Sequence, residues 1–414
     1  MNRVVAVVAF ARRISSRSSF LVAVAFAVVN ASLAPHAAAA HASAAKNDDI
    51  FNVSVGAVVA HDSNLFRTSD SLGPRQSDNI GTAYARLQLD KPYSRQRFRA
   101  NVTGTTYHYE QFSYLNFEGL DYGAEWNWNL TSQLSGTLSA NRTQSPTRFE
   151  DTSGNQSNVV TRENYGLNLD YWPYGGWHAL LGASRRLRNS EQSSVQPEPD
   201  YRESRGEVGV RYLFPTDSSI TAIRRAIDGG QDNQVLSSAT NNGYRQDDTE
   251  ITGRWIVSSK SVLTGRLTHL DRSYDQNSQR NFSGTAVAFR YDWKPTEKLS
   301  LDLFATRTNE PYLTFASVYR VRNVLSVTPS WHASAKVTVY MGLQRTDDKF
   351  PTSPLAPGVP ERSDSTNRTV VGVDWSPRLN MSLNASLQRE TRSSNDPSFE
   401  LSATVARIGA SFTF

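Results

Sequence analysis

Residues 285–308, TAVAFRYDWKPTEKLSLDLFATRT, alternate between two classes of side chain on both sides of a short polar turn. Thr285, Val287, Phe289, Tyr291 and Trp293 stand against Ala286, Ala288, Arg290 and Asp292. After Lys294-Pro295-Thr296-Glu297-Lys298, Leu299, Leu301, Leu303 and Ala305 stand against Ser300, Asp302, Phe304 and Thr306. Period-two patterning around a proline-containing turn specifies a β-hairpin. The strands are long for a soluble sheet and aromatic where they meet the turn. The unit is written nine times along the chain.

Strand 1 begins at Phe51, with Phe51, Val53, Val55, Ala57 and Val59 on one face. Short turns fall near 90–95, 130–133, 173–176, 214–218, 258–261, 294–298, 332–336 and 376–380. Longer loops rich in Ser, Asn, Asp, Gly and Pro fall near 61–77, 110–116, 144–160, 189–202, 228–243, 272–281, 309–318, 346–365 and 391–399. This spacing predicts eighteen strands with both termini on the short-turn side. Trp128, Trp172, Tyr212, Trp255, Trp293, Trp331, Trp375 and Phe414 mark the short-turn ends, 38 to 44 residues apart. Similar phrases follow several of them, such as QLSG from Gln133, KLSL from Lys298 and NMSL from Asn380. A β-propeller also repeats near 40 residues, but each blade has four short strands, whereas each period here has two long ones. All eight tryptophans lie near short turns. A membrane barrel gathers such rings at the lipid–water boundary, where an amphipathic ring is most stable. Tyr107, Tyr109, Tyr201, Tyr274 and Tyr319 are candidates for the opposite girdle.

Extended chain can cross hydrocarbon only as a closed sheet, because an unpaired backbone group there costs several kcal/mol. The predicted fold is therefore all-β, a transmembrane antiparallel up-and-down barrel. Charge sets the faces: a Lys or Arg on the lipid row at mid-depth costs about 2–4 kcal/mol, so charged rows point inward. That assigns Arg86, Arg97, Arg99, Arg211, Arg254, Arg266, Arg290, Arg320, Arg322, Arg368 and Arg407 to the lumen. Asp121, Glu125, Asp170, Glu207, Glu250, Asp292, Asp302 and Asp374 join them. These arginines either guide acidic saccharides or pair with the lumen acids to brace the wall. Two places strain the pattern. Ile223-Arg224-Arg225-Ala226 must send one arginine outward or contain a bulge, and Arg185 falls on the lipid row.

Composition agrees with a protein that needs only one apolar layer: hydrophobic residues make up 38% of the chain. There is no cysteine, hence no disulfide framework or lipoprotein anchor. The first 45 residues carry Arg3, Arg12, Arg13 and Arg17 and no acid, so the formal +5 falls to +1 beyond them. The basic pI therefore argues for no nucleic-acid partner. Residues 1–45 have the pattern of a secretory signal, with an apolar run from Phe20 to Val29 and small-residue cleavage sites ending near Ala40 or Ala45. A single membrane anchor is the alternative, but the run is short of the ~20 residues a span requires. The barrel is then residues 46–414, exported to the outer membrane with lipid as its surroundings.

Chemistry-bearing motifs are scarce. His61, His108, His178, His269 and His332 show no HExxH-like ligand spacing, and His332 falls in a short turn. Asp62-Ser63-Asn64 and Asp228-Gly229-Gly230 lack the full ligand set of a calcium loop. No glycine-rich phosphate loop occurs. The sequence thus predicts no catalytic, cofactor-binding or metal-binding residue, and no enzyme.

Strand 1 runs into His61-Asp62-Ser63-Asn64-Leu65-Phe66-Arg67. This start resembles the EpsL-type outer-membrane proteins, β-barrel porins of exosortase-associated exopolysaccharide gene clusters. The likeness extends in architecture over the whole mature chain. It implies a channel taking part in exopolysaccharide synthesis or export, with the polymer and other export proteins as partners. The last strand, with Thr404, Ala406, Ile408, Ala410, Phe412 and Phe414 on one face, resembles the signal by which the barrel-assembly machinery recognises its clients. The rival readings are a general or solute-selective diffusion porin and a structural barrel acting through loops such as 144–160 and 346–365.

Overall fold

The computed structural model describes residues 50–147, 149, 155–191, 200–232, 243–276, 278–312, 317, 319–353 and 358–414. The proposed leader, residues 1–45, lies outside them. The alternating segments form eighteen strands: β1 (Phe51–Asp62), β2 (Asp78–Tyr93), β3 (Gln96–Tyr109), β4 (Phe117–Asn129), β5 (Leu134–Pro146), β6 (Val159–Tyr174), β7 (Trp177–Ser190), β8 (Asp200–Leu213) and β9 (Ser219–Asp232) come first. They are followed by β10 (Gly243–Ser258), β11 (Ser261–Tyr274), β12 (Phe282–Trp293), β13 (Leu299–Pro311), β14 (Tyr319–Ser334), β15 (Val337–Phe350), β16 (Arg362–Arg378), β17 (Met381–Ser394) and β18 (Leu401–Thr413). Every strand pairs antiparallel with its neighbours in sequence, and β18 pairs back onto β1, which closes the barrel. The seam between chain ends is held by nine residue pairs from Ser54↔Thr413 to Asp62↔Val405, and Phe414 N donates to Val53 O.

Exposure is inverted relative to a soluble protein. Ile408 is 70% exposed, whereas Arg188 is 1% exposed. The exposed aliphatic rows form a belt that only hydrocarbon can cover, since water would penalise each ring and branched chain. Contacts that skip a strand show which face is concave. Glu203 of β8 accepts from the Tyr244 hydroxyl of β10 and lies 3.9 Å from Arg272 of β11. Arg211 of β8 reaches Asp170 of β6. Side chains converge only inside a curved sheet, so these polar rows face the interior.

The difficult stretch in β9 is resolved without a bulge, because its register against β10 is continuous from Gly230 to Ser219. Arg225 shares the inner row with Glu207 and Asp248, and Arg224 turns outward. The Arg224 guanidinium bends back to Asp247, 3.2 Å away and nearer the long loops, which lifts its charge toward the headgroups. Arg185 pairs in register with Tyr165 and Ser204 and also lies on the outer row.

The proposed second girdle is corrected. Tyr107 and Tyr109 share their row with Arg97 and Arg99, Tyr201 shares its row with Glu203, and Tyr274 shares its row with Arg272. All four therefore point inward, and Tyr319 stacks at 5.3 Å on Phe282, whose ring packs with inward Tyr244 and Tyr274. The reason is strict period-two parity: where charge has placed one residue of a strand, every second residue follows. The short-turn girdle contains Trp126, Trp128, Trp177, Trp255, Trp293, Trp331 and Trp375 on outer rows. Phe98 stacks on Trp126 at 5.8 Å, and Tyr212 packs edge-on to Trp177 at 4.9 Å. Trp172 departs from it. It shares its row with inward Asp170, and its ring stacks on inward His178, 5.6 Å away. His332 belongs to β14 rather than to a turn, with Nδ1 3.0 Å from the Thr338 hydroxyl.

The ladder is not uniform. Pairing of β12 with β13 ends at Val287↔Arg307, and that of β4 with β5 ends at Tyr122↔Arg142. Beyond the latter, side chains replace the ladder. Gln144 N donates to Asp121 Oδ1 (2.7 Å), Leu120 N to Gln144 Oε1 (3.2 Å), and Arg142 Nη1 to Leu120 O (2.8 Å). Both openings lie on the long-loop side, where water can satisfy backbone groups that hydrocarbon could not.

Candidate functional site: the interior wall and its mouth

The segment His61–Arg67 leaves β1 and folds back over the barrel rim. Asn64 is fully buried and organises the turn. Its backbone N–H donates to Asp62 Oδ1, its Oδ1 accepts from Thr68 N, and its Nδ2 donates to Thr68 O and Ser402 O. Arg67, at φ 54°, donates to both carboxylate oxygens of Asp62 at 2.9 Å. Leu65 and Phe66 pack with Tyr109 and Leu115, against which Ile80 and Tyr107 also lie. Phe66 meets Phe112 and Phe149 edge-on at 4.8 and 4.9 Å. Tyr107 and Tyr109 occupy the inner row, so this loop lies inward at the mouth. The Ser69 and Ser71 hydroxyls donate to Pro397 O in the loop between β17 and β18, which ties the first long loop to the last.

Most of the predicted lumen arginines are paired. Arg97 donates to both oxygens of Asp90 at 2.6 Å, and Arg99 lies 2.7 Å from Glu125. Arg211 holds Asp170, and Arg290 spans Asp292 and Asp302. Arg320 reaches Glu310 at 2.8 Å, and Arg322 bridges Glu310 (3.8 Å) and Asp348 (2.7 Å). Arg368 binds Glu390 at 3.0 Å. Arg225, which the sequence reading left ambiguous, contacts Glu207 and Glu250, as well as Asp248. By contrast Arg86, Arg254 and Arg407 meet neutral acceptors: the Thr103 hydroxyl, Asp217 O and Gln388 Oε1 at 3.1, 3.0 and 3.4 Å. Arg266 lies level with Ala288 and Thr252, and Asp374 with Thr338 and Asn384. Asp121 is committed to the Gln144 amide. The paired arginines cross-brace neighbouring strands, and Arg86, Arg254 and Arg407 rest on neutral acceptors.

Burial grades along the axis. Side chains of Arg97, Arg99 and Arg290 near the short turns are 42 to 44% exposed, whereas those of Arg188, Arg272 and Arg368 nearer the long loops are 1 to 7% exposed. Charge is graded around the wall. Among the described inner-row residues, β6–β11 present Arg162, Arg186, Arg188, Arg205, Arg211, Arg225, Arg254, Arg266 and Arg272. Facing them within that sector are Asp170, Glu203, Glu207, Asp248 and Glu250, joined by Asp200, which pairs with Arg188 at 2.9 Å where both are buried. The remainder of the wall carries a slight excess of carboxylates over arginines, so the interior is positive on one side.

One acid–histidine contact emerged only in three dimensions. His178 Nδ1 lies 2.7 Å from Asp170 Oδ1 and 3.1 Å from the Arg211 guanidinium, across the β6–β7 hairpin. Both residues flank the same short turn, which is the signal that would have found the pair. Its Nε2 is buried without a hydrogen-bond partner, so no hydroxyl nucleophile is aligned on it. Among the described residues no group of three or more potential ligand side chains is placed to hold a metal ion.

No family model and no curated protein sequence matches this chain. Solved structures do. Pseudomonas aeruginosa OccK2 (OpdF) aligns at 10% identity over 88% of this chain and 97% of its own, with a TM-score of 0.50. The same protein in complex with glucuronate aligns at 11% identity over 88% and 98%, with a TM-score of 0.50. At such identity the likeness speaks for architecture: the chain has the fold of the eighteen-stranded Occ/Opd outer-membrane porin barrels.

Proposed function

We propose that this barrel is an outer-membrane channel for hydrophilic, acid-bearing solutes, and that saccharide is its cargo. The observation that carries the reading is the closed eighteen-stranded wall whose inner rows hold an arginine surplus along β6–β11. A guanidinium presents a planar fork of donors suited to carboxylate and phosphate, so a cationic wall favours entry of anions. The crystal structure of OccK2 with glucuronate, an acidic sugar, supports a saccharide of that charge. The finer assignment, passage of an exopolysaccharide, rests on the His61–Arg67 segment and its EpsL-type resemblance. A diffusion porin for smaller solutes is the same physical object with another cargo.

Single-channel recording of the purified barrel in planar bilayers tests the reading. An open conductance with an anion-shifted reversal potential in a KCl gradient is expected; a silent barrel overturns it in favour of a scaffold. Deleting the gene and locating the polymer separates the two cargoes. Retention of exopolysaccharide in the periplasm supports export, and normal secretion with altered uptake of small solutes assigns a diffusion porin.

A further inference from the structure

A further interruption of the outer wall lies within β14. Pro329 lies in the middle of β14, where it has no N–H to donate. The β14–β15 register accordingly passes from Val327↔Leu343 to Ser330↔Tyr340, omitting Thr328 and Pro329, while Pro329 remains in register with Leu301 of β13. A groove of about 390 Å³ opens beside this gap, lined by Leu299, Leu301, Pro329, Trp331, Val339 and Met341 among others. These side chains stand on outer rows, within a few residues of the short turns. Its lining is almost wholly apolar, and it lies in the leaflet on the short-turn side, the periplasmic one in barrels of this kind.

The rim of the groove is basic. Lys294 and Lys298 flank Pro295, itself part of the lining, and Lys336 forms the next short turn; all three are exposed. Lys336 Nζ donates to Pro377 O at 2.9 Å, and Lys260 Nζ donates to Pro295 O at 3.2 Å, which keeps both cations at the rim. Arg378 follows on the next strand. Glu297 is the one acid in this set of turns, whereas the turns after β4 and β6 carry no charge at all. An apolar slot beneath clustered ammonium groups matches one ligand chemistry: an acyl chain joined to a phosphate headgroup.

We propose that this groove is a binding site for an anionic phospholipid of the periplasmic leaflet, with one acyl chain beside Pro329 and the phosphate among Lys294, Lys298 and Lys336. The site is separate from the lumen and independent of what the channel conducts.

Native mass spectrometry of the detergent-solubilised barrel, after adding phosphatidylglycerol or phosphatidylethanolamine, tests the proposal. One tightly retained phosphatidylglycerol is expected, with weaker phosphatidylethanolamine. Each of K294Q, K298Q and K336Q should lower the preference about fivefold. Met341→Trp, which fills the slot, should abolish retention of both lipids. Heat-modifiability on gels, an index of folded barrel, identifies any variant that has lost its fold, and Met341→Phe serves as the milder replacement. Equal retention of the two lipids by the native chain, or retention unchanged in folded variants, overturns the proposal. So does a dimer that Met341→Trp dissolves, which would assign the groove to a second copy of the chain.

Discussion

At the scale of single residues, the mouth is organised by side chains that hold a loop inward against its own preference for water. Asn64 spends its whole amide on backbone partners, Phe66 buries its ring, and Arg67 holds a left-handed backbone beside Asp62. The His61–Arg67 segment thus has a structural explanation for each of these residues, whatever the channel carries. The opposite side of the same junction depends on protonation. Asp396 accepts from the hydroxyl and amide of Ser398, and these bonds hold its carboxyl below the usual carboxylate range. A carboxyl with a depressed folded-state pKa stabilises fully above its unfolded value, near 4, and loses that contribution as pH falls through the lower folded value. Protection of the Ser398 amide against hydrogen exchange, relative to its intrinsic rate, should therefore fall below about pH 4. Asp396→Asn should remove most of that pH dependence, and an unchanged profile would discount the capping bond.

At the scale of elements, the β6–β7 hairpin depends on a turn too tight for ordinary side chains. Gly175 has φ +59°, and a Cβ on Gly176 would stand 2.2 Å from Leu213 O, a backbone atom with no freedom to withdraw. Gly176→Ala should cost roughly 1–3 kcal/mol and lower the temperature at which the barrel loses its fast-migrating folded band on gels; no shift would mean that the neighbouring turn gives way. The seams where β4–β5 and β12–β13 stop pairing have no such turn to blame. At β4–β5 the sequence supplies Asp121, Arg142 and Gln144 to replace the lost ladder bonds. Nothing in simple alternation reveals where a ladder will end, because each strand reads as regular by itself.

At the scale of the whole molecule, the interior is a field as well as a wall. Arg186 in the positive sector has no carboxylate within ion-pairing distance among the described residues, and Arg407 bonds only a neutral amide. The double variant Arg186→Gln, Arg407→Gln should reduce the anion shift of the reversal potential at low salt. The difference should shrink toward 1 M, where the screening length falls to about 3 Å. If selectivity does not move, the paired arginines set it instead. Much of this architecture was legible beforehand. Period two and the cost of charge in hydrocarbon were enough to predict a closed barrel of eighteen strands. Applied to Tyr107, Tyr109, Tyr201 and Tyr274, the same parity places them inward; expecting a second girdle set that rule aside. Tertiary structure alone decided which arginines are paired, that the first long loop folds inward, and that Pro329 opens a groove. Alternation along a strand is a local property that each residue carries with it. Ion pairs, loop packing and interrupted ladders depend on the register between strands, and register exists only once the sheet has closed.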